Sequence, residues 1–247
     1  MTASHPSLTD IRPDAIHYTP AIAESLYVTH PSGLPTPDRN SLVVGPLGSG
    51  KTIMLKALLA KWTQLSQLRP IYVDLLRWTS QLAGETETYS SDRLSPRGRA
   101  ILGGMSLAIN VALCESLGAF DTPTDFPSSW RLFDEALGTS DPAAIRNRAK
   151  AAIREALLTG RELPATLPST FTMASALGAD TRSRHGSLLV LMIDQIDQVS
   201  APFFSPVATL LRRSADFVSI LATRPCATAP EPEEIPPDIG VFVKSCG

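Results

Sequence analysis

Eight consecutive residues, Gly45, Pro46, Leu47, Gly48, Ser49, Gly50, Lys51 and Thr52, match the pattern G-x-x-x-x-G-K-[ST] without a mismatch. Each residue type has a physical use there. Glycines reach backbone conformations closed to other residues and let amide N–H groups approach phosphate oxygens. A helix beginning at the lysine adds N–H donors and a dipole that favours anions. Lys51 is a mobile cation for β- and γ-phosphates, and Thr52 offers a hydroxyl to Mg²⁺. The surroundings agree with this chemistry. The apolar run SLVV precedes the motif, and Ile53, Leu55, Leu58, Leu59, Trp62 and Leu65 follow it at helical spacing. The plain alternative is a glycine-rich turn that binds nothing.

A second constellation starts at the continuous apolar run SLLVLMI, which leads directly into Asp194. Such a run has the length and composition of a strand covered on both faces. A carboxylate at its end can hold Mg²⁺ through a water. The next residue is Gln195, whose neutral amide orients water but is a poor base. Asp197, three residues after Asp194, is the alternative group for positioning water, or else a helix cap or solvated carboxylate. Hydrolysis is therefore expected to be slow, conditional or absent. A third strand-like run, FVSILA, ends in Thr223, Arg224 and Pro225. Arg224 at that tip can touch a γ-phosphate and so distinguish ATP from ADP; otherwise it is a surface arginine before a turn.

Together, GPLGSGKT, LLVLMIDQID and ILATRP resemble the Walker A, Walker B and sensor elements of the AAA+/STAND branch of P-loop NTPases. The lead-in to the first motif is loosely similar to origin-recognition-type AAA ATPases of bacterial conflict, or antiphage, systems. The resemblance implies ATP and Mg²⁺ as ligands and a parallel sheet of order 5-1-4-3-2. It gives Lys51, Asp194, Gln195, Asp197 and Arg224 catalytic or sensing roles, and makes Thr52 and Asp194 the metal-holding residues. It further implies an ATPase or ATP-dependent switch acting on a protein partner or a second copy, plausible in a defence or signalling system. A non-hydrolysing ATP-binding scaffold is the alternative, favoured by Gln195. A small-molecule kinase also uses such a loop, but no acceptor-binding motif is evident.

These motifs need an alternating α/β framework, with short parallel strands and helices between them. PIYVDLL reads as the second strand, with Asp74 near its end. Between it and Asp194 lie about 110 residues of mostly helical pattern. Residues 100–117, 130–137 and 141–158 are the helix candidates, the last with Asp141 as cap, Pro142 at the first position and Gly160 beyond the end. Residues 84–99 are polar and read as a loop. Ser205 and Pro206 start a helix over 207–213, with Arg212 and Arg213 at its end, placed for the helix dipole or as an arginine finger in an assembly. Residues 1–40 read as an irregular lead-in and 41–247 as one nucleotide-binding domain with a helical insertion over about 92–178. The stretch at 240–243 is one further strand, and no lid or winged helix is evident.

Composition narrows the partners. With 22 Lys+Arg against 24 Asp+Glu, the net charge is -2, which argues against coating nucleic acid by bulk electrostatics. Arg146, Arg148, Lys150 and Arg154 are scattered around one helix, so nucleic acid is possible but unsupported. The longest uncharged apolar run, residues 100–114, is too short and too polar to span a bilayer, and the N-terminus lacks a signal-peptide pattern. Cys114, Cys226 and Cys246, like the four histidines, show no metal-ligand spacing. A reducing cytoplasm is the expected setting.

Overall fold

The computed structural model describes residues 19–26, 34–75, 96–196, 204–224 and 240–243. Helix α1 (Pro20–Leu26) lies within the stretch expected to be irregular. Its start is local chemistry: Thr19 accepts from the Ile22 N–H at 3.3 Å, and Pro20 takes the first helical position. Its Ala23 is fully buried where the helix packs on α2. Strand β1 (Ser41–Val44) and helix α2 (Lys51–Thr63) follow, then β2 (Leu68–Asp74).

Among the described residues, four α-helices lie between β2 and β3 (Leu188–Asp194): α3 (Pro96–Leu117), α4 (Pro127–Leu137), α5 (Pro142–Thr159) and α6 (Thr170–His185). Short helix α7 (Phe204–Ala208) and a 3₁₀ turn (Thr209–Leu211) lead to β4 (Phe217–Thr223), and β5 (Gly240–Val243) is the last described element.

The strands form one sheet in the order β2-β3-β4-β1-β5, and every neighbouring pair is parallel. Parallel neighbours require crossovers over the sheet faces, so both faces are covered. Every residue of β4 is buried, and so are six of the seven in β3. On one face Val43, Val190, Met192, Ile220 and Ala222 pack against Met54, Leu55, Leu58 and Trp62 of α2. The opposite face, with Ile71, Leu189, Leu191, Ile193 and Leu221, carries the helices of the long connection. Asn40 pins the start of β1. Its side chain donates to the Leu211 and Arg212 carbonyls at 2.8 and 3.0 Å and accepts from the Ser219 N–H at 2.8 Å.

The long connection explains several departures from the sequence pattern. Helix α3 begins at Pro96, so residues 96–99 are helical rather than loop, while residues 84–95 lie outside the described set. By length and composition α3 is apolar enough to cross a membrane, with mean hydropathy 1.6, unlike the shorter uncharged run within it. That apolarity serves the core here: 72% of the 18-residue window is buried inside the fold. Cys114 sits in this helix, fully enclosed, and burial pushes its thiol pKa upward. Helix α5 starts as expected, with the Ala144 N–H donating to the Asp141 carboxylate at 2.7 Å and Gly160 closing the end.

The cations of α5 are partly committed to the fold. Arg148 donates to the Leu137 and Gly138 carbonyls at the end of α4, as cations at helix C-termini do. Arg146 lies 3.2 Å from a Glu115 carboxylate oxygen and 4.7 Å from the centre of the Phe120 ring. Lys150 and Arg154 are exposed. The expected helix over 207–213 stops early, so Arg212 and Arg213 follow the 3₁₀ turn in extended chain. They precede β4 and so lie at the edge of the sheet opposite its Thr223 end.

Helix α6 crosses close to the segment before β4, and Gly178 makes the approach possible. A Cβ there would stand 2.3 Å from the Asp216 carbonyl oxygen, which is backbone and cannot swing aside. Gly178→Ala is therefore expected to lower stability by about 2–3 kcal/mol through forced separation of helix and chain. Urea denaturation checks this; a change within ~0.5 kcal/mol of wild type would mean that the two segments part without cost.

Candidate functional site

The carboxyl ends of the strands bring the motif residues together. The β1 chain leaves the sheet at Val44, and the Gly45 N–H donates to the Thr223 carbonyl at 3.1 Å, tying the loop to the tip of β4. The loop then turns, with the Ser49 N–H donating to the Pro46 carbonyl at 3.2 Å. Gly48 and Gly50 have φ of 80° and 79°, a region costly for side-chain-bearing residues. No atom crowds the Gly48 Cβ position, so backbone conformation rather than space favours glycine there. Gly50 is the residue before α2 and supplies no side-chain cap, and the first helical bond runs from the Met54 N–H to the Gly50 carbonyl. The start of α2 is thus open to an external acceptor. Leu47 at the loop tip is 75% exposed.

Lys51 is folded back over its own loop and almost buried, donating to the Gly45 carbonyl at 2.5 Å and the Pro46 carbonyl at 2.9 Å. The Ser49 hydroxyl oxygen is enclosed and has no hydrogen-bond partner. An enclosed polar atom in a loop of this shape costs free energy unless something completes it.

Asp194 is 2% exposed and forms the hub of the site. Its Oδ2 accepts from the Thr52 hydroxyl at 2.6 Å and from the Tyr72 hydroxyl at 2.8 Å, and its Oδ1 accepts from the Gln195 N–H at 2.9 Å. Burial, with the Asp194 carboxylate adding to it, pushes the Tyr72 pKa upward, so the phenol keeps its proton and is the donor. The buried Lys56 ammonium lies 5.5 Å from the Tyr72 ring centre, a cation–π arrangement. Asp74 stands opposite Asp194 in the β2–β3 register.

Gln195 has φ of 64°, the one positive value outside glycine among the described residues. It continues the turn by which β3 leaves the sheet. Arg224 follows directly on Thr223, beside Gly45, and is half-buried. Asp197 lies outside the described residues. The structure therefore gathers Gly45–Thr52 in sequence, Asp194, Gln195 and the Arg224 backbone at one edge of the sheet.

Sequence reasoning missed Tyr72 and Lys56. The signal was present in part: strand alternation puts Tyr72 and Asp74 on one face, and Lys56 is four residues after Thr52 on the helix. The missing part was the β2–β3 register, which places Tyr72 against Asp194.

Hard oxygen donors such as Thr52 and Asp194 suit Mg²⁺. Among the described residues no group of three or more His, Cys, Asp or Glu could hold a metal ion by itself, so a metal here would draw its other ligands from phosphate and water. No family model, curated protein or solved structure matches this chain.

Proposed function

We propose that the chain is a P-loop NTPase that binds ATP with Mg²⁺ and works as a nucleotide-dependent switch, hydrolysing slowly or only with a partner. The observation that carries the reading is the 2.6 Å contact between Thr52, from the loop helix, and Asp194, from a strand separated from β1 by β4. Two motifs 142 positions apart in sequence meet with the atoms that Mg²⁺ chemistry requires. The position of β4 between β1 and β3 supports the AAA+/STAND branch, and the partnerless Ser49 hydroxyl supports a ligand that completes the loop.

In this reading the loop N–H groups and the start of α2 bind phosphate oxygens. Lys51 leaves the Gly45 and Pro46 carbonyls to neutralise the terminal phosphate. Thr52 and Asp194 hold Mg²⁺, which when bound offsets charge on the phosphates. Arg224 senses the γ-phosphate from the tip of β4. Gln195 orients water but does not take its proton efficiently. The output is assembly with a second copy or a change in a protein partner, because ATP and ADP states favour different conformations.

A second reading, a non-hydrolysing ATP-binding scaffold, draws on Gln195 at the position beside Asp194. Melting temperature and turnover separate the two. At 100-fold excess over Kd, ATP with Mg²⁺ is expected to stabilise the chain by about 2.7 kcal/mol, or roughly 5–10 °C. Stabilisation with turnover supports the ATPase, and stabilisation without turnover the scaffold or a switch awaiting its partner. Absence of stabilisation at millimolar ATP would overturn nucleotide binding.

A further inference from the structure

We infer that Tyr72 is a positioning residue for Asp194, holding the carboxylate in place for the metal ion that Thr52 and Asp194 would share. The inference rests on the Mg-ATP reading of the site. The Asp194 Oδ2 accepts two hydroxyl donors, Thr52 at 2.6 Å and Tyr72 at 2.8 Å. Only one of them is also a metal-holding group. Thr52 offers lone pairs to Mg²⁺ while its single hydrogen serves Asp194, so a bound cation acts directly on the atoms of that bond. Tyr72 belongs to a different element, β2, and has no place among the metal ligands.

The phenol is itself fixed at three points. Its strand is in continuous register with β3 from Leu68 opposite Leu188 to Asp74 opposite Asp194. Its ring packs against the buried cluster of α2 and the sheet that includes Met54, Leu55, Val190 and Met192. The Lys56 ammonium lies over the ring at 5.5 Å. Two of the bonds on Asp194 therefore come from groups outside the metal-holding pair: the Gln195 N–H on Oδ1 and Tyr72 on Oδ2. A carboxylate held on both oxygens cannot rotate, and such outer partners of metal-holding groups tune metal affinity strongly.

The test is the Mg²⁺ dependence of ATP binding in Tyr72→Phe. The substitution keeps the ring beneath Lys56 and leaves Thr52 as a donor to Asp194, so the metal-free fold is retained, which the melting temperature without ligand verifies. Binding of a fluorescent ATP analogue is titrated in EDTA and at increasing Mg²⁺. Wild-type and Tyr72→Phe chains are expected to bind alike in EDTA, whereas half-saturating Mg²⁺ rises about 5- to 10-fold in the variant. In an Asp194→Asn background the same Tyr72→Phe change is expected to add nothing, because both act through one group. An unchanged or lowered Mg²⁺ requirement in Tyr72→Phe overturns the inference, as does a shift that persists in the Asp194→Asn background. If the wild-type chain fails to bind the analogue with or without Mg²⁺, the nucleotide reading falls and the inference falls with it, before any variant is compared.

Discussion

Lys51→Ala is expected to remove the rise in melting temperature that ATP produces while shifting the nucleotide-free chain by only a few degrees. The two effects differ because the ammonium has two sets of partners. In the fold it donates to the Gly45 and Pro46 carbonyls. Pro46 is half-buried beside the exposed loop tip at Leu47, so water can replace the ammonium on that carbonyl, whereas Gly45 is buried. The loss is about 1–2 kcal/mol, the scale of ordinary hydrogen bonds to a charged group. With ATP, two charge-assisted bonds to phosphate contribute about 1.5–3 kcal/mol each, less what is given up by leaving the loop carbonyls. A net loss of about 3 kcal/mol weakens binding roughly 100-fold. Lys51→Arg is not expected to rescue it, because a planar guanidinium does not fit a pocket that encloses a single ammonium between two carbonyls. Isothermal titration with ATP checks both variants. Affinity within threefold of wild type in Lys51→Ala would refute the placement of phosphate at this loop.

The parts of the site that depend on neighbours in sequence were legible without coordinates. The SLVV run, the glycines and the GKT triplet lie together, and their strand, turn and helix follow from local rules. The same holds for α5, whose start and stop are written in Asp141, Pro142 and Gly160. Helix α6 was harder. Its buried face mixes Met173 and Leu177 with the polar Thr170, Asp180 and Thr181 and the small Ala174 and Gly178, so no strong apolar stripe marks it, and its close approach to Asp216 becomes apparent only in three dimensions. Residues 96–99 misled because Arg97 and Arg99 look like loop polarity, whereas an α3 end with exposed and half-exposed positions tolerates them. The segment after Ser205 begins a helix by its local signals but holds it for only five residues, since Asn40 captures the carbonyls of Leu211 and Arg212 and turns the chain into β4. Asn40, Tyr72 and Lys56 share one property: their roles come from partners far away in sequence, which neither spacing nor periodicity encodes.

Gln195→Glu and Gln195→Gly are expected to move stability and turnover in opposite senses. Gln195 is held at φ of 64°, with its N–H on Asp194 Oδ1. A side-chain-bearing residue in that region costs about 1–2 kcal/mol. Gln195→Gly relieves this and should raise the melting temperature by a few degrees, because the backbone N–H that serves Asp194 is kept. It also removes the amide that orients water in the proposed reading, so any turnover is expected to fall. Gln195→Glu keeps the strained backbone and replaces a poor base with a competent one. General-base catalysis is worth about 100-fold or more where geometry allows. The new carboxylate lies next to Asp194, however, and like-charge repulsion offsets part of the gain, so a rise of about tenfold in turnover is expected. Steady-state phosphate release and thermal melts of the same preparations decide the matter. A stabilised Gln195→Gly with unchanged turnover would mean that the glutamine side chain does not serve the reaction. If Gln195→Glu remains inactive while binding ATP normally, the slow step lies outside this position, and the search moves to Arg224 and to contacts that only a partner can supply.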